Sequence, residues 1–216
     1  MPVRVLRYVA QTLELPAPDV FFRDADPQSL SLLNLQEKGI LTPAFVIGRG
    51  ITQRASEHEV VFEMAKRMAF LRPQRFLRCA VPSASALDVV LRSALALGGS
   101  GIGAGAHNGE VDKMTDQLRR LVPRTVAEQM AAVGRQLLSA RGEVIDMEAW
   151  MGAADLSAGR VGFVLSNELP AAARVLSTEP PSTSPLAAKQ RVKDLLSYSV
   201  SEDYFAVRKF LGLDVR

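Results

Sequence analysis

Every segment of this chain with strand character falls within the first fifty residues, and nearly everything after Ser56 has helical spacing. Asp19-Val-Phe-Phe-Arg23 is short, β-branched and aromatic, and Leu30 to Leu35 is a second such run. Gly39 marks a turn before a third, Pro43 to Gly48. A helix precedes them over 4–15, with Val5, Tyr8, Val9 and Leu13 roughly on one face, and Pro16 and Pro18 stop it. Further on, the periodicity predicts helices at 56–71, 83–97, 110–121, 123–140, 146–166, 169–177, 185–198 and 201–211. The expectation is an α+β fold, predominantly helical, with a small N-terminal antiparallel sheet and one domain spanning 1–216. Flexible loops are expected at about 98–109, which is glycine-rich, and 177–185, which is rich in Pro and Ser.

Composition narrows the function classes. At 216 residues and 48% hydrophobic the chain can bury a sizeable core. No run approaches the 18 consecutive apolar residues of a membrane span, and the N-terminus lacks the apolar stretch of a secretory signal. The single cysteine, Cys79, excludes an internal disulfide and any multi-thiolate zinc site. A cytoplasmic location is the expectation. The net charge of +3 is small, and basic residues crowd only at Lys66, Arg67, Arg72, Arg75 and Arg78, around Phe70 and Phe76. No nucleic-acid motif surrounds them, so anionic-surface or nucleic-acid binding through Lys66–Arg78 stands as an alternative only. The loop with Gly101, Gly103 and Gly105 lacks the preceding strand and the Gly-Lys-Ser/Thr of a phosphate cradle. Two histidines, His58 and His107, leave little for a catalytic triad. Cys79 follows Arg75 and Arg78, whose charges favour a thiolate, but its other neighbours are apolar. An enzyme of another class using Cys79, or a pocket the sequence does not reveal, is a second alternative.

The richest local signal is Ser56-Glu-His-Glu59, a capping box in which the serine and the glutamate three residues later satisfy each other's backbone N–H. It opens a helix with Val60, Val61, Met64, Ala65 and Met68 as its apolar stripe, ended by Pro73. The whole run from Thr42 to Phe70, strand, turn, capped helix, resembles the strand-then-helix unit of gluzincin metallopeptidases of the HtpX-like and CAAX-prenyl endopeptidase family. In that family the helix carries His-Glu-x-x-His. A second stretch, Trp150-Met-Gly-Ala-Ala-Asp-Leu-Ser-Ala-Gly-Arg-Val-Gly162 and on to Leu176, is similar to the family's later helix, Glu-x-x-Ala-Asp-Arg-x-Gly-Leu.

The resemblance implies a zincin-like fold and, equally, a lost activity. Lys66 and Phe70 fall on the two histidine positions and Arg67 on the catalytic glutamate. Asp155 matches the third ligand, and Gly159 stands where the family has Asp. Catalytic zinc needs about three N, O or S ligands and an open position for water. Phe70 cannot ligate, and Arg67, protonated at any ordinary pH, is no general base. No metal or other cofactor is therefore expected. The chain reads as a pseudopeptidase: a non-catalytic protein-interaction or scaffold domain, similar to those at the end of large repeat-containing bacterial proteins. Lys66 is expected to face Asp155 and neutralise it where the cation once stood. The cleft beside strand 43–48, taken as a sheet edge, is expected to hold a protein partner or peptide segment by strand addition, with Phe45, Ile47 and Phe62 as candidate contacts.

Overall fold

A computed structural model of the chain describes residues 1–26, 29–37, 39–81, 83–99, 108–142 and 145–213. The elements in order are α1 (Pro2–Thr12), β1 (Asp19–Arg23), β2 (Leu30–Glu37), β3 (Ile40–Gly48), α2 (Ile51–Arg54), α3 (Glu57–Met68), α4 (Phe76–Ala80), α5 (Ala84–Leu97), α6 (Asn108–Leu121), α7 (Arg124–Arg141), α8 (Met147–Ser166), α9 (Leu169–Thr178), α10 (Ala188–Ser199) and α11 (Glu202–Phe210). Short 3-10 turns lie at Ala69–Leu71 and Pro181–Thr183. The protein is predominantly helical with a small three-stranded mixed sheet. The sequence reads as one domain; the contacts of the chain divide it into two compact units, Met1–Ala80 with Met151–Arg216, and Val81–Trp150.

In the first unit the sheet order is β1-β3-β2. β2 and β3 form the expected hairpin, turning at Gly39, whose φ of +82° suits glycine. β1, however, pairs parallel to β3, Asp19 opposite Ala44 through Arg23 opposite Gly48. The sheet is thus mixed, where an antiparallel one was expected. The cause is the connection from β1 to β2. Gly48 N donates to the Ser29 carbonyl at 2.8 Å and Arg49 N to the Arg23 carbonyl at 3.3 Å, so the end of β3 is held between the end of β1 and the start of β2. β3 enters between two strands running in opposite directions and must be parallel to one of them.

This arrangement makes β3 the central strand. Phe45 and Ile47 point inward, both fully buried, with Val20 and Leu32 flanking Phe45 and with Phe22 and Leu30 flanking Ile47. Ala44 and Val46 point to the outer face, beside Phe21 and Leu33.

α3 lies at the middle of the unit. The capping box forms as the sequence requires: Glu59 N donates to Ser56 Oγ at 3.3 Å and Ser56 N to Glu59 Oε2 at 2.6 Å. Val60, Val61, Met64, Ala65 and Met68 are buried, and so are Phe62, Glu63 and Lys66. A helix buried on more than its apolar stripe is enclosed by neighbours, here α1 and α9. α8 crosses it closely at Gly162, where an added Cβ would stand 2.8 Å from the Phe62 carbonyl oxygen.

The C-terminus of α8 shows how the surrounding helices are locked. Its last carbonyls lack intrahelical partners, and three elements supply them. Arg208 Nη1 of α11 donates to Val164 O at 2.7 Å, the Tyr8 hydroxyl of α1 to Leu165 O at 3.3 Å, and His58 Nδ1 of α3 meets Ser166 O at 2.9 Å. Since a carbonyl only accepts, His58 carries its proton on Nδ1. Asn167, in the left-handed region at φ 51°, ends the helix and accepts from the Tyr204 hydroxyl at 2.6 Å. Tyr204 stacks on Phe163 with centroids 4.9 Å apart.

The second unit packs α5 against α6 and α7. Ser93 Oγ, fully buried, donates to Val89 O at 2.7 Å and reaches Val111 O at 3.2 Å. Gly98 abuts α7, where a Cβ would sit 2.7 Å from Ala131 Cα. Residues 100–107 of the glycine-rich stretch, His107 included, lie outside the described residues.

Candidate functional site

Three positions singled out in the sequence, Lys66, Arg67 and Asp155, belong to a largely buried cluster of charges inside the first unit. α3 contributes Glu63, Lys66 and Arg67; α4 contributes Arg78; α8 contributes Asp155; Glu179 follows α9 directly; α10 contributes Arg191. All but Arg67 have side chains no more than about a tenth exposed.

Lys66 does not face Asp155 in an ion pair. Its Nζ lies 2.5 and 2.6 Å from the two Glu179 carboxylate oxygens. Asp155 is bound instead by Arg78, in a two-pronged contact with Nε to Oδ1 at 3.0 Å and Nη2 to Oδ2 at 3.2 Å. The expected Lys66–Asp155 pair is therefore absent, and each of the two groups has another partner. The reason is geometric: a guanidinium matches a carboxylate bidentately where an ammonium offers a point charge, and α4, unseen in the sequence, brings one to Asp155.

Each guanidinium also holds a backbone carbonyl. Arg78 Nη2 donates to Thr183 O at 2.7 Å, Arg191 Nη2 to Leu176 O at 3.3 Å and Arg67 Nη1 to Glu63 O at 3.1 Å. Arg191 Nη1 meets Glu179 Oε2 at 2.5 Å, so Glu179 is shared between two cations. Arg191 Nε is buried without a partner among the described residues. Arg67 also pairs with Glu63 at 3.4 Å.

Burial by itself would raise the Glu179 carboxyl, but the Lys66 charge and the hydrogen bonds from Lys66 and Arg191 outweigh it and hold the group below the ordinary carboxylate range. Burial pushes the Lys66 ammonium down from a solvated lysine, with Glu179 opposing the shift. Glu179 is thus an anion matched to its two cations.

Phe70 lies under the Arg78 guanidinium, 5.9 Å from ring centroid to carbon. Gly159 faces Leu195 Cδ2 of α10, 3.8 Å from where its Cβ would be. Of the positions that the resemblance singled out, Lys66, Phe70 and Asp155 are tied together through Arg78 and the segment 179–183, Arg67 turns back on its own helix, and Gly159 packs on an apolar side chain. Glu179 and Arg191 were not singled out in the sequence, and Arg78 was read only as part of the basic patch and as a neighbour of Cys79. Arg78 sits on a helix of five residues, too short for periodicity to reveal. Glu179 precedes Pro180-Pro181 and reads as loop. The expected loop 177–185 in fact holds the end of α9, the 3-10 turn and the anion at the centre of the cluster.

The proposed peptide contacts fare differently. β3 is paired on both sides and offers no edge, and Phe45, Ile47 and Phe62 are fully buried in the core. They cannot touch a partner. The basic patch is reduced too, because Lys66 and Arg78 are consumed by buried ion pairs and Arg72 donates to Leu13 O at 2.7 Å. At Cys79 burial raises the thiol pKa, with the Asn34 amide at 3.9 Å and Arg78 pulling the other way; the thiol is not activated. No three His, Cys, Asp or Glu side chains converge on a metal-sized site among the described residues.

An open groove of about 250 Å³ lies at the start of β1, lined by the Leu15–Asp19 segment with Thr42, Pro43, Leu71 and Phe76. No family model matches the chain, and no curated protein and no solved structure matches it either. No helix among the described residues is long and apolar enough to cross a membrane.

Proposed function

We propose that this protein is a non-catalytic interaction or scaffold domain whose framework resembles a metallopeptidase and whose former metal centre has become a structural charge cluster. The observation that carries this reading is the occupation of the carboxylates: Asp155 is bound by Arg78 and Glu179 by Lys66 and Arg191. Cations fixed in this way hold five separate segments of the unit together and leave no carboxylate to activate water.

With strand 43–48 closed to partners, the groove beside the start of β1 is the place for a partner segment. It is apolar, flanked by Pro16, Pro18 and Pro43, and adjacent to the first residues of the central strand. Ala17 is exposed on its wall, so Ala17→Arg fills the groove without disturbing the core. The test joins two assays. The purified protein should leave unfolded casein uncut with zinc supplied, and a partner captured by the wild type should be lost by Ala17→Arg. Zinc-dependent cleavage contradicts the non-catalytic reading, and unchanged capture contradicts the groove.

A further inference from the structure

β1 is an edge strand whose outer side pairs with no strand among the described residues. Natural edges are blunted by lysine, proline, a bulge or a covering element. Asp19-Val-Phe-Phe-Arg23 has no lysine or proline, and its only charges stand at its two ends. Both of its aromatic residues are open, Phe21 at 48% and Phe22 at 45% exposure, although they point to opposite faces of the sheet. The strand also carries opposite charges at its two ends. Asp19 has no ion pair among the described residues, and Arg23 makes only local surface contacts, with Asp26 at 3.5 Å, both side chains exposed, and with Ser29 Oγ at 3.1 Å. A surface pair of that kind contributes little, so both charges are available to another chain.

We propose that β1 is a self-pairing edge through which two copies of this chain join their sheets about a twofold axis at Phe21. The charge pattern selects partner and direction together. Antiparallel to itself, the strand sets Asp19 opposite Arg23 of the second copy, Arg23 opposite its Asp19, Val20 opposite Phe22, and Phe21 opposite Phe21. Asp19, Phe21 and Arg23 lie on the outer face and Val20 and Phe22 on the inner, as the register with β3 requires. A parallel arrangement would place aspartate on aspartate and arginine on arginine, which is unfavourable. Pairing gives one six-stranded sheet, β2-β3-β1-β1-β3-β2, and removes one open edge from each copy. The contact is isologous and closes, so it yields dimers without fibres. Edges of five residues bury far less than the ~1,200 Å² of a stable interface, so the dimer is a weak one, forming at roughly 100 μM.

The inference is independent of whether the charge cluster is a former metal site. Sedimentation of the full chain from about 5 to about 200 μM tests it, a span that brackets that dissociation constant. The wild type is expected to pass from monomer to dimer. Asp19→Arg alone and Arg23→Asp alone set like charges opposite each other and weaken the dimer about tenfold or more. Mixing those two variants restores association as a heterodimer, and the double variant Asp19→Arg/Arg23→Asp restores it as a homodimer. Both residues are exposed, and unchanged circular dichroism confirms that the variants fold. A wild type still monomeric at the top concentration overturns the proposal. So does a dimer that the single charge reversals leave intact, or one that neither the mixture nor the double variant rescues.

Discussion

Glu179 is the residue on which the charge cluster turns, because it is the one anion shared by two buried cations. Glu179→Gln leaves Lys66 and Arg191 without their counterion and should cost about 3–5 kcal/mol, read from urea unfolding at neutral pH. Lys66→Met should cost markedly less, since Arg191 still holds the carboxylate and a buried charge is replaced by an apolar side chain of similar length. The pH dependence follows from the sign of the shift. Glu179 is held below its unfolded pKa, so its stabilisation is complete above the ordinary carboxylate range and is lost as pH falls through the folded value. An unfolding series in acid should therefore show a steeper loss of stability for the wild type than for Glu179→Gln below about pH 4.3. Equal slopes would mean that the carboxylate is not held ionised by its neighbours.

At the scale of elements, what could be read from sequence was what is local. The Ser56–Glu59 box formed where its spacing placed it, since both bonds lie within four residues. Ser56→Ala should cost about 1 kcal/mol in the same unfolding measurement. β1, β2 and β3 were also found where β-branched and aromatic runs put them, but their pairing was not. The central place of β3 goes with the bonds its end makes to Ser29 and Arg23, a nonlocal matter that no periodicity records. The same gap misassigned Phe45 and Ile47 to an exposed edge. α11 repeats the lesson: the helix docks by Tyr204 and Arg208 and leaves the larger apolar Phe210 88% exposed. Arg208 goes inward because the end of α8 has a carbonyl to fill. Helix crossings are likewise invisible until the partner is known. Gly162 looks like one small residue among several, whereas its Cβ would press on the Phe62 carbonyl and ring. Gly162→Ala should cost about 1–3 kcal/mol through overpacking, and a neutral result would show that α3 and α8 part easily.

For the molecule as a whole, the two compact units divide the chemistry unevenly. The charge cluster, the sheet and the groove beside β1 all belong to the first unit. The second is a set of three helices with an apolar cleft of about 290 Å³ between α5 and α7. The expected site was legible as a set of positions but not as a set of bonds. Lys66, Phe70 and Asp155 are part of one connected cluster, while the groups that satisfy them came from a five-residue helix, a proline-flanked turn and α10. The central claim is that these groups have taken the place of a metal ion. Elemental analysis of the protein, purified without chelator from zinc-supplemented medium, tests it most directly. The account predicts zinc far below one ion per chain and an unfolding temperature indifferent to added zinc or chelator, since a bound ion would stabilise the folded state in proportion to its occupancy. One zinc per chain, removed by chelator with a fall in that temperature, would contradict it.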